Sequence, residues 1–431
     1  MPKRGFRWIF IAISAAGTAL AGGFAPAAIA AAPLAEAHWI GTWGAAPEPP
    51  RPTVGRFAGT AGFSDQTIRQ LVRISAGGTH LRIHFTNVYG TDPLHIGAAS
   101  VALVGPSGAP QPGTERAVTF AGKPDAWIPP GAPYVSDAID LAVEPLATVA
   151  ISIYLPGHTD PCTCHALGLQ TAYVSGPGNF VDQPFAAAQT IQSRAFLSGV
   201  EVETTRSGGT IVALGDSITD GFGSMLNANS RWPDLLADRL AARRGGQAWG
   251  VVDMGISGNR LLADGAADSA LRRFDRDVLS VPGVKYVILF EGTNDLIASY
   301  GHSSGLFPQD PRAPSMKATA AALIAGYRQL IERAHTRGIR MIGVTLTPYA
   351  GASLGRSADL YSPEGEAQRE VINHWIRTSG AFDGVLDFDA VWRDPHDPTR
   401  IIPSLQHGDH LHGNDAGYQA LVRSINLALF R

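Results

Sequence analysis

Ile211-Val212-Ala213-Leu214-Gly215-Asp216-Ser217-Ile218-Thr219-Asp220-Gly221 runs from a short apolar segment straight into Gly-Asp-Ser, with polar residues and glycine behind it. The spacing predicts a buried strand that ends at a tight turn, with Ser217 placed where a helix begins. Backbone N–H groups and a helix N-terminus at such a position stabilise a developing negative charge. Ser, Asp and Thr are also ordinary turn and N-cap residues, so the stretch takes on chemical meaning only from its surroundings.

Downstream of Gly208 the same pattern repeats. Strand-like runs at Val251–Met254, Tyr286–Phe290, Met341–Leu346 and Val385–Phe388 alternate with helical stretches. In Met316–Arg337, the residues Leu323, Ile324, Tyr327, Leu330, Ile331 and Ala334 share one face, and Gly338 is placed to end the helix. Ser362-Pro363 reads as the N-cap and first residue of the next helix, and Asn414–Phe430 as a terminal one. Five such units predict an α/β domain over 206–431: a parallel five-stranded sheet in flavodoxin-like order with helices on both faces. Ligands bind such sheets beyond the carboxyl ends of the strands.

Upstream the period changes to two. Leu71-Val72-Arg73-Ile74-Ser75 and Leu81-Arg82-Ile83-His84-Phe85 flank Gly77-Gly78 and read as a hairpin. Further short runs lie at Ser100–Val104, Ala117–Phe120, Ala138–Val143 and Val149–Leu155, between Gly/Pro-rich turns. Residues 31–205 are therefore expected to form an all-β sandwich, jelly-roll-like, as an accessory domain.

Residues 1–30 read as a targeting segment. Lys3, Arg4 and Arg7 precede an apolar stretch from Trp8 to about Ala21, and Ala28-Ile29-Ala30 offers a small-x-small cleavage site. The run is interrupted by Ser14, Gly17 and Thr18 and is short for a bilayer span, so export with cleavage is expected, without stable membrane insertion afterwards. The expected location is secreted or periplasmic. The 431 residues are 45% apolar and 16% charged with a net charge of −3, a globular composition with no basic stripe, which excludes nucleic acid as a partner. Cys162 and Cys164, the only cysteines, are expected to be either free or locally bridged, though so short a loop strains a disulfide; they are too few to hold a metal, and no catalytic role is expected of them.

The residues directly after each strand of the α/β half test the placement. Ser217 comes after the first, Gly255-Ile256-Ser257-Gly258-Asn259-Arg260 after the second, and Gly292-Thr293-Asn294-Asp295 after the third. His407-Gly408-Asp409-His410-Leu411-His412 lies after the fifth. These polar clusters fall at one edge of the predicted sheet and supply what acyl transfer needs. A serine nucleophile requires a base, His412, and a carboxylate to orient it, Asp409. The tetrahedral oxyanion requires donors: the N–H of Ser217, the N–H of Gly258 and the amide of Asn294.

Gly-Asp-Ser at 215–217, Gly258, Gly-x-Asn-Asp at 292–295 and Asp-x-x-His at 409–412 resemble the four ordered blocks of the SGNH (GDSL) hydrolase family. The resemblance covers roughly 208–431, with Ile218 standing where Leu is more usual. It implies a flavodoxin-like fold, Ser217 as nucleophile, Gly258 and Asn294 as further oxyanion donors, and Asp409 and His412 as the remaining triad members. The N-terminal half, with Trp39-Ile40-Gly41-Thr42-Trp43, resembles more loosely the extra β domain of secreted members related to carbohydrate acylesterases. That likeness favours short acyl esters on a carbohydrate, with a short-chain lipase or arylesterase as the alternative. No cofactor and no metal are expected.

Three rival readings are weaker. Gly301-His302-Ser303-Ser304-Gly305 and Gly351-Ala352-Ser353-Leu354-Gly355 match the Gly-x-Ser-x-Gly elbow, which needs a strand directly before it and a helix directly after. The first runs into Phe307-Pro308-Gln309-Asp310-Pro311 and the second follows Pro348 in loop. His407, Asp409, His410 and His412 cluster densely, yet no second group of ligands at zinc spacing accompanies them. A non-catalytic glycan-binding protein is the third, and the five filled site positions argue against it.

Overall fold

The structure, a computed structural model, describes residues 36–51, 62–301, 317–354 and 357–431. The leader, residues 302–305 of one serine elbow motif and Gly355 of the other lie outside these residues. The N-terminal half contributes strands β1 (His38–Gly44), β2 (Gln66–Arg73), β3 (Gly78–Thr86), β4 (Ala98–Leu103), β5 (Thr148–Leu155), β6 (Ala172–Pro177) and β7 (Leu197–Thr204). They divide between two antiparallel sheets. In one, β7 lies between β1 and β3; in the other, β2 lies between β5 and β6, with β4 beyond β5. Alternate residues point to one face of a strand. Val149, Ile151, Ile153 and Leu155 of β5 thus meet Leu81, Ile83 and Phe85 of β3 and Val200 and Val202 of β7 in one shared core.

The predicted hairpin is corrected by this topology. β2 and β3 are consecutive but lie in different sheets. The residues between them are bonded elsewhere rather than into a turn: Ile74 N to Ala147 O at 2.9 Å, Ser75 N to Thr42 O at 2.9 Å, and Ala76 N to Thr42 Oγ1 at 2.7 Å. Ser75 Oγ also accepts from Val251 N at 2.7 Å. A segment whose polar groups are claimed by β1 and by the C-terminal half crosses between sheets instead of folding back.

In the C-terminal half, β8 (Gly208–Gly215), β9 (Ala248–Gly255), β10 (Val284–Phe290), β11 (Arg340–Val344) and β12 (Gly384–Leu386) pair in parallel in the order β9-β8-β10-β11-β12. This is the predicted flavodoxin-like order. Every residue of β8 is buried, as a central parallel strand covered on both faces must be. The helices include α1 (Ser217–Asp220), α2 (Trp232–Ala241), α3 (Thr293–Tyr300), α4 (Ala320–His335), α5 (Pro363–Thr378) and α6 (Asp415–Ser424), besides the short helices Ala270–Phe274 and Phe388–Trp392. Of these, α2 packs with α6, and α3 and α4 pack with α5. α4 buries Leu323, Tyr327, Leu330, Ile331 and Ala334, and Ser362 caps α5 by accepting from Gly365 N at 3.0 Å.

The terminal helix stops at Ser424, short of the predicted Phe430. Asn426 Oδ1 accepts from Ala428 N at 3.0 Å and starts a separate 3₁₀ turn, Leu427–Leu429. The break seats Phe430 edge-on against Tyr286 of β10, ring centroids 5.3 Å apart. Burial of an aromatic ring outweighs one more helical turn.

The two halves lie within one compact unit, Glu36–Arg431. β1 crosses β9 at backbone distance. Gly41 N donates to Pro282 O at 3.0 Å and to Thr210 Oγ1 at 2.8 Å. A Cβ on Gly250 would stand 1.8 Å from Gly41 O, and one on Gly44 would stand 2.5 Å from a methyl of Val252. At Gly250 glycine is required because backbone meets backbone, and at Gly44 because the Val252 and Met254 side chains leave no room. Gly250→Ala is expected to lower stability in urea denaturation by about 1–3 kcal/mol, the range for overpacking a fitted interior. A variant as stable as the parent would mean that the strands can separate without cost.

Candidate active site

Three strands end level. Gly215 of β8 pairs with Gly255 of β9 and with Phe290 of β10, so Asp216-Ser217, Ile256-Ser257-Gly258 and Glu291-Gly292-Thr293-Asn294 leave the sheet from one edge. The turn after β8 is tight: a Cβ on Gly215 would lie 2.1 Å from Thr219 Oγ1 and 2.7 Å from Phe290 O. Asp216 caps α1 by accepting from Ile218 N at 2.9 Å, which makes Ser217 the first helical residue. The strand-turn-helix expected around Ser217 is therefore present. Ser353, by contrast, sits in the short strand Ser353–Leu354, outside any strand-to-helix turn.

The loop after β12 brings the other half of the chemistry. His412 Nε2 is 2.7 Å from Ser217 Oγ, and His412 Nδ1 is 2.7 Å from Asp409 Oδ2. Asp409 Oδ1 accepts from Leu411 N and His412 N, both at 3.0 Å, so the three-residue spacing forms one closed turn. Burial opposes the charge of Asp409, but the His412 ring and these two N–H groups outweigh it and hold its pKa well below the usual carboxylate range. An ionised Asp409 requires Nδ1 of His412 to carry its proton, which leaves Nε2 to accept the one on Ser217 Oγ. The ring is packed against Phe222 at 4.4 Å between centroids. His407 N donates to His412 O at 2.8 Å, and Ser353 N to Asp409 O at 3.1 Å, so both neighbours serve the loop's backbone.

The remaining predicted residues follow β9 and β10. Gly258 has φ +82°, a left-handed conformation that strains any side chain, and precedes Asn259. Asn294 Nδ2 donates to Asn259 O at 2.9 Å and to Asp216 Oδ2 at 3.3 Å, joining the loops after β8 and β9. Asp295 accepts from Leu261 N at 2.7 Å and Leu262 N at 3.0 Å and pins the far end of the Gly258 loop. The structure thus links Ser217, His412 and Asp409 directly, and Asn294 and Gly258 through the residues beside them.

Sequence reading missed the support beneath this edge. The Arg273 side chain is fully buried, whereas that of Arg272 is 66% exposed. Arg273 Nη2 donates to Gly215 O at 3.0 Å, Nη1 to Met254 O at 2.7 Å, and Nε to Asn259 Oδ1 at 2.9 Å. It also meets Glu291 at 3.4 Å and Asp277 at 3.1 Å. Nothing in Leu271-Arg272-Arg273-Phe274 distinguishes the two arginines; only the fold does. Asp220, the last residue of α1, carries no distinguishing signal in the sequence either, yet its Oδ2 accepts from Ser257 N at 3.0 Å and Ser257 Oγ at 2.7 Å.

Several carboxyls around this edge are pushed towards their neutral forms. Burial is the leading cause in each case, raising Asp253 to about 7 and Asp295 to about 6, and lifting Asp216 and Glu291 in the same direction. A carboxyl with a raised folded-state pKa binds protons more tightly in the folded chain, so its contribution to stability falls as pH rises from its unfolded pKa to its folded one. Asp409, shifted downward, has given nearly its full contribution by pH ~5. Stability to urea is therefore expected to decline between pH ~5 and ~7.5, and an increase across that window would contradict the buried carboxyl cluster.

Residues 213–420 match the family model described as GDSL-like lipase/acylhydrolase. No curated protein matches the chain. Among solved structures, a catalytic mutant of an acetylxylan esterase from Geobacillus stearothermophilus is 19% identical, with 52% of this chain and 94% of that one covered at a TM-score of 0.38. A GDSL-like lipase from Bacteroides thetaiotaomicron is 16% identical, covering 51% of this chain and 87% of its own at 0.36. An α/β hydrolase from the metagenome of Lake Arreo is 21% identical, with 52% and 95% covered at 0.37. Block order and family match coincide on the parallel sheet: residues 213–420 belong to the GDSL-like lipase/acylhydrolase family, and the chain is a carboxylic ester hydrolase.

Proposed function

We propose that this chain is an exported serine esterase that removes short acyl groups, acetyl above all, from a carbohydrate. The observation that carries the catalytic part is the unbroken line Asp409–His412–Ser217, with 2.7 Å at each link. Ser217 Oγ attacks the ester carbonyl carbon while its proton passes to His412 Nε2. The oxyanion is met by the N–H groups of Ser217 and Gly258 and by the Asn294 amide. Collapse of the tetrahedral intermediate breaks the bond to the alcohol oxygen, which leaves with the proton from His412. Water then attacks the acyl-enzyme, giving its proton to the same nitrogen, and Ser217 is released with the acid.

Two features support a carbohydrate rather than a hydrocarbon partner. The loop that carries Asp409 and His412 exposes His407 and Gly408, giving the site a polar rim. In the β half, Trp127 is 60% exposed and lies flat on His95, centroids 4.1 Å apart and planes 6° apart, a face suited to the C–H side of a sugar ring. Export rests on Lys3, Arg4 and Arg7 before the apolar run from Trp8 to about Ala21, and it gives a secreted or periplasmic location.

Ser217→Ala is expected to reduce kcat by a factor on the order of 10⁴–10⁶ against an activated ester. Asn294→Ala is expected to cost roughly 10²–10³; a decrease below about tenfold would remove its amide from the oxyanion site. For the substrate, kcat/KM is compared across p-nitrophenyl esters of rising chain length and acetylated xylan. Preference for acetyl esters and release of acetate from the polymer are expected, whereas a strong preference for long chains would favour a lipase.

A further inference from the structure

We infer that His165, supplied by the β half, is a positioning residue for the oxyanion side of the active site, so that the β half completes the esterase. This rests on the catalytic reading proposed above. His165 ends the short strand Cys164–His165, which pairs with Arg194–Ala195. Its neighbourhood is tied down on several sides: Cys164 is disulfide-bonded to Cys162, Glu48 N donates to Cys164 O at 2.9 Å, and Ala166 N donates to Glu48 Oε1 at 2.8 Å.

The ring is 3% exposed and reaches into the α/β half. Nε2 lies 3.0 Å from Asp220 Oδ1, while Nδ1 lies 3.1 Å from Ala46 O and 3.4 Å from Glu48 Oε1. Both nitrogens face oxygens that accept, so each must carry a proton and the ring is a cation. Burial works against that charge, but Asp220 and Glu48 outweigh it and hold the pKa of His165 above its ordinary value.

Asp220 gives one oxygen to His165 and the other to Ser257, whose N–H and Oγ–H both donate to Oδ2. Ser257 is the residue before Gly258, and Asp220 closes the single turn that Ser217 opens. A Cβ on Gly255 would stand 2.2 Å from Asp220 N, so the end of α1 sits directly on the end of β9 with no room to slip. One carboxylate therefore spans the nucleophile turn and the oxyanion loop, and its buried charge is matched from the β half. Without His165, Asp220 loses the donor on Oδ1 and the buried cation that faces it, leaving the more distant charge of Arg231, and a carboxylate with one oxygen unpaired is free to turn away from Ser257. The N–H of Gly258 would then drift from the point where the oxyanion forms, an error of the size that costs about 10² in rate.

The test uses the full-length chain. In His165→Ala, kcat is expected to fall about 10²-fold with KM changed by less than about twofold, and affinity for a small alkylboronic acid, which forms a tetrahedral adduct on Ser217, is expected to fall alongside kcat. His165→Gln, whose amide can donate to Asp220 Oδ1, is expected to recover at least about tenfold of the lost kcat. Asp220→Asn serves the same purpose should the alanine variant not fold, and the same loss of kcat at constant KM is expected. Unchanged kcat in either variant overturns the inference, as does a loss that the glutamine does not relieve. Ser217→Ala is run beside them: if it remains active the catalytic reading itself falls, whereas an inactive Ser217→Ala with fully active His165→Ala sinks only the role of His165.

Discussion

The guanidinium of Arg273 is the interaction on which the site depends. It binds the last carbonyl of β8 and the Met254 carbonyl of β9, and it reaches across to Asn259 in the loop beyond. These oxygens lie at the strand ends and in the loop beyond, and that of Gly215 also accepts from Ile256 N at 3.0 Å. A planar cation with five donors answers several of them at once and fixes the distances between them. Its own charge is met by Asp277 at 3.1 Å, buried with it, and Glu291 lies at 3.4 Å on its other side. Removing one partner from such a buried array costs more than the array contributes as a whole.

Above that clamp the working groups are held by very few degrees of freedom. Asp216 caps the turn that carries Ser217 and accepts from Asn294, while Asn294 reaches the carbonyl of Asn259. His412 is fixed by Asp409 on one nitrogen, by Phe222 on its face, and by a backbone bond from His407. The burial that raises the pKa of Asp216 and Glu291 is the same burial that keeps water from competing for these bonds.

The β half is joined to this machinery by backbone contact and by charge. Gly41 and Gly250 let β1 lie against β9, Ser75 accepts from Val251, and His165 faces Asp220. Ala46 belongs to the core of the α/β half and Ala248 to that of the β half, so neither core is complete alone.

The sequence by itself determined the strand-turn-helix at Ser217, the order of the parallel strands, the antiparallel character of the first half and the positions of Gly258, Asn294, Asp409 and His412. Each of these is written in local pattern: a period of two or of 3.6 residues, a cap, a glycine at a turn. The tertiary structure alone decided that β2 and β3 part into separate sheets, because the bonds that divert Ser75 come from residues far along the chain. It decided where the last helix ends, because Phe430 is wanted against Tyr286. It also separated Arg273 from Arg272, and it gave His165 a partner 55 residues away. Long-range partners carry no local period, so a buried ion pair and an exposed one read alike until the chain is folded.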